Sequence, residues 1–309
     1  MTSPDPGSPA HGRGSLFAGL PGDISASFEF FPAKNEAGTQ QLRGTVRRLA
    51  SCSPSFVSVT YGAAGSSREN SLAAIRHIIA DSSLPVAAHL TCVGASKAEV
   101  DAVAESFAAA GVRHIVALRG DGGPPGTPFA PHPQGYRNAA DLVSGLARHG
   151  LFDISVAAYP EVHPDAVSAE ADLDNLKRKL DAGASRAMTQ FFFSPDAFLR
   201  FRDRAAAAGI TAPIIPGILP VTNFAQTRKL ARACGTSIPE WVEQLFAGLD
   251  DLPDTRLLVA ATFAAELCNQ LYAEGVRDFH FYTLNRAEMT QALCHLLGRR
   301  VPTLLEQAA

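Results

Sequence analysis

Short apolar runs rich in β-branched and aromatic residues alternate along this chain with longer stretches of helical periodicity. The first run, Ile24–Phe30, precedes a helical stretch at Thr39–Ser51. Phe56–Tyr61 precedes Asn70–Ala80, and Pro85–Thr91 precedes Lys97–Ala110. His114–Leu118 leads into Gly122–Gln134, where 8 of 13 residues are Gly or Pro, so a long loop is predicted before helix resumes at Asn138–Arg148. Asp153–Ala158 is followed by a helix over Asp165–Ala182, and Ala187–Phe193 by one over Pro195–Ala208. Ile214–Gly217 precedes three helices, at Asn223–Cys234, Pro239–Phe246 and Thr255–Glu274. Asp278–Tyr282 and a helix at Arg286–Leu297 close the series.

Strands that each lead into helix predict a parallel sheet. Eight such units in one domain predict a closed (β/α)8 TIM barrel. An open doubly wound sheet is the alternative. It would prefer a Gly-rich turn after the first strand, where this chain has Glu29-Phe30-Phe31-Pro32-Ala33-Lys34. Neither a GxGxxG fingerprint nor a P-loop occurs. Residues 1–22 contain 12 Gly, Pro or Ser and read as a flexible lead-in, so one catalytic domain is expected over 23–309.

Composition narrows the classes. With 309 residues, 46% hydrophobic and 18% charged, the chain can bury a sizeable core. A net charge of -3 makes no case for nucleic acid or an anionic membrane as a bulk partner. No uninterrupted apolar stretch reaches membrane-spanning length, and the start lacks the pattern of a signal peptide. Cys52, Cys92, Cys234, Cys268 and Cys294 are widely spaced without a C-x-x-C, which suits free thiols in a reducing, cytoplasmic compartment.

A barrel carries its chemistry at the C-terminal ends of its strands. Those ends read Glu29, Thr60, His89, Asp121, Tyr159, Gln190, Pro216 and His280. Glu29 stands among aromatic residues, where desolvation favours its protonated form, which makes it a candidate general acid. A solvated or salt-bridged strand terminus is the bland alternative. Arg119 suits a phosphate or a carbonyl oxygen, and Asp121 an amide edge or developing positive charge. A structural Arg119–Asp121 pair competes with that reading. Asp172, Asn175 and Lys179 are spaced to share one helical face, with Arg178 and Lys179 suited to phosphate. An ordinary solvated helix is equally open. His163 is expected to bond a ligand or a carbonyl, because neither it nor Glu161 joins a metal-ligand pattern. Gln190 can both donate to and accept from a heterocyclic amide edge, while Phe191, Phe192 and Phe193 fit a core better than a stacking platform. No lysine ends the sixth strand, which argues against a Schiff-base aldolase, and no Gly-x-Ser-x-Gly elbow occurs.

Eight segments carry a resemblance. They are SFEFFPAK at Ser27–Lys34, FVSVTYGA at Phe56–Ala63, AHLTC at Ala88–Cys92, HIVALRGD at His114–Asp121, VAAYPEVHP at Val156–Pro164, TQFFF at Thr189–Phe193, PGILPVTNF at Pro216–Phe224 and DFHFYTLNRAEM at Asp278–Met289. In this order they resemble the bacterial methylenetetrahydrofolate reductase family, from about Ser25 to Arg299. The resemblance implies a (β/α)8 barrel that binds FAD non-covalently. It implies reduction of 5,10-methylenetetrahydrofolate to 5-methyltetrahydrofolate by NADH or NADPH, with NADH favoured, in one-carbon metabolism and methionine biosynthesis. It implies Glu29 as catalytic acid and Asp121 as its catalytic partner. Flavin contacts carry over to Thr60, Tyr61, Ala63, His89, Arg119, Gly120, Asp121, Ala139, Tyr159, His163, Asp172, Asn175, Arg178 and Lys179. Folate contacts carry over to Asp121, Gln190, Gln226 and Arg286. No metal is implied, and a homo-oligomer is. Two positions depart from the family pattern. Asn138 stands where a flavin-contacting tyrosine is expected, with Tyr136 as a nearby substitute, and Leu230 stands where a stacking phenylalanine is expected. The rival readings are another FAD barrel resembling proline dehydrogenase, a non-redox barrel lyase, and a non-catalytic flavin or folate binder.

Overall fold

The computed structural model describes residues 23–61, 68–123, 127 and 129–299. The lead-in over 1–22 and Ala63 lie outside the described residues. Eight parallel strands close on themselves in chain order: β1 Ser25–Phe30, β2 Phe56–Val59, β3 Val86–Thr91, β4 His114–Leu118, β5 Asp153–Ala158, β6 Arg186–Phe191, β7 Ile214–Ile218 and β8 Asp278–Tyr282. The helices between them are α1 Glu36–Ala50, α2 Arg68–Asp81, α3 Lys97–Ala109, α4 Ala139–His149, α5 Ala169–Asp181 and α6 Pro195–Ala207. α7 Phe224–Cys234, α8 Glu240–Phe246 and α9 Pro253–Ala273 lie between β7 and β8, and α10 Ala287–Leu296 follows β8. The predicted (β/α)8 barrel is therefore the observed fold. Among the described residues no helix is long and apolar enough to cross a membrane.

Each strand buries both faces, which is why the strands read as unbroken apolar runs. Alternation sends Phe28 and Phe30 outward against the helices, both fully buried, while Ser27 and Glu29 point into the barrel. The outer shell is large and aromatic: Phe28 meets Phe281 at 6.2 Å and Phe192 stacks on Phe198 at 5.4 Å. Burying each such ring stabilises the fold by roughly 2–3 kcal/mol. The interior is different. Its apolar layer is thin, made of Phe56, Ala87, Val116, Met188 and Ile215. Below it His114 Nε2 lies 2.7 Å from Ser155 Oγ, and Arg186 pairs with Asp153 at 2.6 Å. Above it the barrel is open to the cleft described below.

Several boundaries shift by a few residues from the sequence reading, and two of the shifts shape the site. β6 stops at Phe191 because its register against β7 shifts between Met188 and Phe191, so Phe192 and Phe193 leave the sheet but stay in the core. α5 starts at Ala169, not Asp165, because Ser168 caps it by accepting from the Ala171 amide at 3.2 Å. The ten residues between β5 and α5 form the loop that carries Tyr159 and His163.

Candidate active site

A cleft of about 1150 Å³ opens at the C-terminal mouth of the barrel. Thr60, Tyr61, His89, Arg119, Gly120, Asp121, Ala139, Tyr159, His163, Asp172, Asn175, Lys179 and Gln190 line it together with Glu29. Strand ends from β1 to β6, the start of α4 and one face of α5 thus converge on one space. The bulge in β6 lets Gln190 and the neighbouring Phe191 both reach it.

Glu29 forms part of the cleft wall and is 8% exposed. Its Oε2 lies 3.3 Å from His89 Nε2 and 3.5 Å from His280 Nε2. The rings of His89 and His280 work against the expected protonated form of Glu29. Burial does push its carboxyl up, but the charge and hydrogen bonding of His89 and His280 outweigh burial and bring it down to about 2. Phe28 and Phe30 are Glu29's neighbours in sequence but face the opposite side of the strand.

Arg119 and Lys179 bring positive charge to the same cleft, beside Asp165 and Asp172. Lys179 is buried, with its Nζ 2.5 Å from the Ala157 carbonyl, and burial lowers its ammonium to about 8. Asp172 accepts from the His163 amide at 3.0 Å, and the His163 Nδ1 accepts from the Asp165 amide at 3.0 Å. His163 is therefore held by the loop backbone. Burial also lowers its imidazole. Burial pushes the Tyr159 phenol up to about 12, so it stays a donor, and its hydroxyl meets Gln190. Gly120 adopts φ +85, and a Cβ there would stand 2.5 Å from Val93 Cγ1 and 3.1 Å from Thr91 Cβ, so glycine is required at this turn.

The sequence model of the family described as "Methylenetetrahydrofolate reductase" matches residues 18–298. The chain belongs to the methylenetetrahydrofolate reductase family. The 5,10-methylenetetrahydrofolate reductase of Escherichia coli (strain K12) is 53% identical over 283 residues, covering 92% of this chain and 94% of the relative. That of Pectobacterium carotovorum is 51% identical over 287 residues, covering 92% and 93%. Methylenetetrahydrofolate reductase (NADH) 1 of Arabidopsis thaliana is 36% identical over 278 residues, and this chain spans 46% of its length. A solved structure of an uncharacterized protein from Clostridium thermocellum, which binds two copies of 5-methyl-5,6,7,8-tetrahydrofolic acid, shares the fold with a TM-score of 0.59 at 13% identity. It covers 89% of this chain and 93% of that one.

Within this family member not every predicted residue enters the cleft. Arg178, Gln226 and Arg286 are exposed and lie outside its lining. Asp172, Asn175 and Lys179 do share a face as their spacing predicts, while Arg178 turns to solvent. Tyr136 does not substitute for the missing tyrosine: it is 1% exposed and its hydroxyl donates to Asp101 at 2.6 Å, away from the lining. Asn138 lines the cleft and also caps α4, accepting from the Asp141 amide at 3.0 Å. Leu230 does line the cleft. Glu161 is structural, because it accepts from the Ser237 amide and hydroxyl. Sequence reasoning passed over Ser27 and Tyr282. Tyr282 lines the cleft and donates to the Thr189 carbonyl at 2.8 Å. Two-residue alternation from His280 on a strand was the signal for Tyr282, as alternation from Glu29 was for Ser27.

Proposed function

We propose that this chain is a flavin-dependent reductase of 5,10-methylenetetrahydrofolate, giving 5-methyltetrahydrofolate at the expense of NADH or NADPH, with NADH favoured. The observation that carries the reading is the placement of Glu29, Asp121 and Gln190 around one cleft in a chain of this family.

The cleft residues fit FAD. Thr60 Oγ1 is buried without a hydrogen-bond partner among the described residues. Lys179 is a buried cation whose close hydrogen-bond partner is a carbonyl, and Arg119 lines the same cleft. Those groups suit a ligand with many acceptors and a diphosphate. Thr60, Tyr61, His89, Gly120, Ala139 and Tyr159 would hold its ring and sugar parts, and Arg119, His163, Asp172, Asn175 and Lys179 its phosphate and adenosine parts. Ala63 and the exposed Arg178 belong to the same assignment. When bound, FAD supplies hydride carriage between nicotinamide and folate.

The protein's own work is acid catalysis and charge placement. Glu29 delivers a proton to N10 of the substrate as the imidazolidine ring opens, with the N10–methylene electron pair passing to N10 and the N5 lone pair closing onto the methylene carbon. Asp121 makes no hydrogen bond or ion pair among the described residues, so its carboxylate is available to the cation that forms. Gln190 presents an amide to the pterin edge. Gln226 and Arg286 are assigned to the outer part of the folate, from exposed positions. The five cysteines are free, which fits a reducing cytoplasm. A homo-oligomer belongs to the same reading and is tested by sedimentation of the full chain.

The decisive experiment is a flavin spectrum of the purified chain under anaerobic conditions. NADH should bleach the visible absorbance, and methylenetetrahydrofolate should restore it with formation of the methyl product. A chain that takes up no FAD, or a reduced flavin that the folate leaves bleached, would overturn the proposal.

A further inference from the structure

The barrel has a second opening. At its N-terminal mouth, away from the cleft, a cavity of about 530 Å³ lies beneath the thin apolar layer of the bore. That volume is within the range of small-molecule sites. Each of the eight strands contributes a residue to its wall. Phe56 and Ile215 belong to the apolar layer and form the floor, with Val86 beside them. The rim is charged, and not all of its charges are matched. Arg186 and Asp153 are joined at 2.6 Å and neutralise one another. Arg113 Nη1 donates to the Ala108 and Val112 carbonyls, at 2.9 and 2.8 Å, and the guanidinium has no acidic partner among the described residues. Asp278 is exposed and has no ion pair among the described residues, because the adjacent Arg277 is taken up by Asp23 and by the Tyr272 ring. His114 is 8% exposed, and its ring meets Phe56 edge-on at 4.5 Å. Its Nε2 lies 2.7 Å from Ser155 Oγ, while its Nδ1 has no partner among the described residues although the ring lines the cavity. Burial lowers this imidazole to about 4, so it is neutral at ordinary pH. With the Ser155 hydroxyl donating to Nε2, Nδ1 carries the hydrogen and is a donor in want of an acceptor.

We propose that this cavity is a binding site for an extended zwitterion, a small molecule whose carboxylate and ammonium are separated by a short apolar chain. The carboxylate lies at Arg113 and the His114 Nδ1–H, the ammonium at Asp278, and the chain crosses Phe56 and Ile215. Charge selects this class. A simple anion would meet Asp153 and Asp278, and a simple cation would meet Arg113 and Arg186, whereas a zwitterion matches the one unpaired charge of each sign. Distance selects the extended form. β4 and β8 are four strands apart around a closed barrel of eight, so Arg113 and His114 stand opposite Asp278 across roughly 15 Å of backbone. An α-amino acid, with both charged groups on one carbon, is too short to reach both sides. The site lies at the other end of the barrel from the folate cleft, and the inference does not rest on the proposed reaction.

The probe is ε-aminocaproate, titrated calorimetrically into the full chain, with hexanoate and hexylamine as controls that each lack one charge. The zwitterion should bind, and each control should bind about tenfold more weakly or worse. Arg113→Gln and Asp278→Asn should each weaken ε-aminocaproate about tenfold. Both side chains are exposed, so both variants should melt with the wild type. In the chain labelled with ¹⁵N-histidine, the probe should move the His114 Nδ1 resonance, which is identified by its loss in His114→Asn. Saturating FAD should leave the probe's affinity unchanged, because the cleft lies at the opposite mouth. No heat of binding from ε-aminocaproate, equal binding of either control, or wild-type affinity in both variants overturns the proposal. Displacement of the probe by FAD, or a bound probe that leaves His114 unmoved, places it elsewhere and overturns the site as well.

Discussion

Arg119 and Asp165 are joined at 2.6 Å across the cleft mouth, and this leaves Asp121, two residues from Arg119 in sequence, without an ion pair among the described residues. The arginine is thus steered by the loop after β5 and lies over the Phe129 ring at 4.8 Å. The local Arg119–Asp121 pair offered by the sequence does not form. Asp165→Asn should loosen Arg119 and raise the dissociation constant for FAD about tenfold, with a stability change under ~1 kcal/mol because the pair is partly exposed. Asp121→Asn should weaken FAD retention far less than the folate half-reaction, which should slow about 10²-fold. Flavin titration and stopped-flow reoxidation separate the two. An Asp121→Asn variant that reoxidises at the wild-type rate would remove Asp121 from the reaction.

Lys179 trades stability for anion affinity. Burial lowers its ammonium from 10.5 to about 8, with Asp172 opposing and Arg119 reinforcing the shift. The folded state therefore loses this proton more readily than the unfolded chain. Its burial cost is complete below pH 8 and is relieved as pH rises from about 8 to 10.5. Lys179→Met should raise the melting temperature of the flavin-free protein at pH 7 and weaken FAD binding about 10-fold to 100-fold. Wild-type affinity for FAD should fall as pH rises past about 8. A flavin-free Lys179→Met protein that melts well below the wild type would contradict this account.

Most of the barrel was legible because its strands are buried on both faces, so each appears as a short apolar run bounded by turn residues. The site was legible because strand ends are where polar groups interrupt such runs: Glu29, His89 and Gln190 stand out against Phe28, Leu90 and Phe191. What sequence could not carry was direction. Glu29 sits between two phenylalanines that face away from it, and its real neighbours, His89 and His280, lie 60 and 251 positions along the chain. Tyr136 follows a Gly/Pro-rich loop with nothing local to say which way it turns. The structure turns it inward against Asp101, where Gly145 leaves room for its ring.

Acid should unfold the protein in two stages. Burial lowers His114 from 6.5 to about 4, although Asp153 works the other way. Between those values the unfolded chain takes up a proton that the folded state refuses, so stability falls as pH drops from about 6.5 to 4. Glu29 acts in the next window. Its carboxyl is depressed in the folded state, so its contribution is complete above about 4.5 and is lost as pH falls towards 2. Urea titrations of the flavin-free chain across this range should show His114→Asn flattening the upper stage and leaving the lower one. An unchanged slope between pH 6.5 and 4 in that variant would count against the assignment.

Two glycines make a paired test of how the cleft wall is built. A Cβ on Gly217 would stand 2.1 Å from the Thr189 carbonyl oxygen and 2.8 Å from the Tyr282 ring. The first obstacle is backbone, and that carbonyl also accepts the Tyr282 hydroxyl, so it cannot retreat without breaking the bond that fixes Tyr282 in the cleft. The Gly217 amide donates to Thr189 Oγ1 at 2.9 Å, which ties the same spot from the other side. Gly217→Ala should therefore cost at least ~2 kcal/mol and slow the folate half-reaction, because Gln190 and Tyr282 move with the bulge. Gly44 lies within α1 with nothing within 4 Å of a built Cβ. Gly44→Ala should stabilise by about 0.5–1 kcal/mol through helix propensity and leave both half-reactions unchanged. Equal stability of the two variants in denaturant would show that β6 and β7 can part at Gly217 without disturbing the wall.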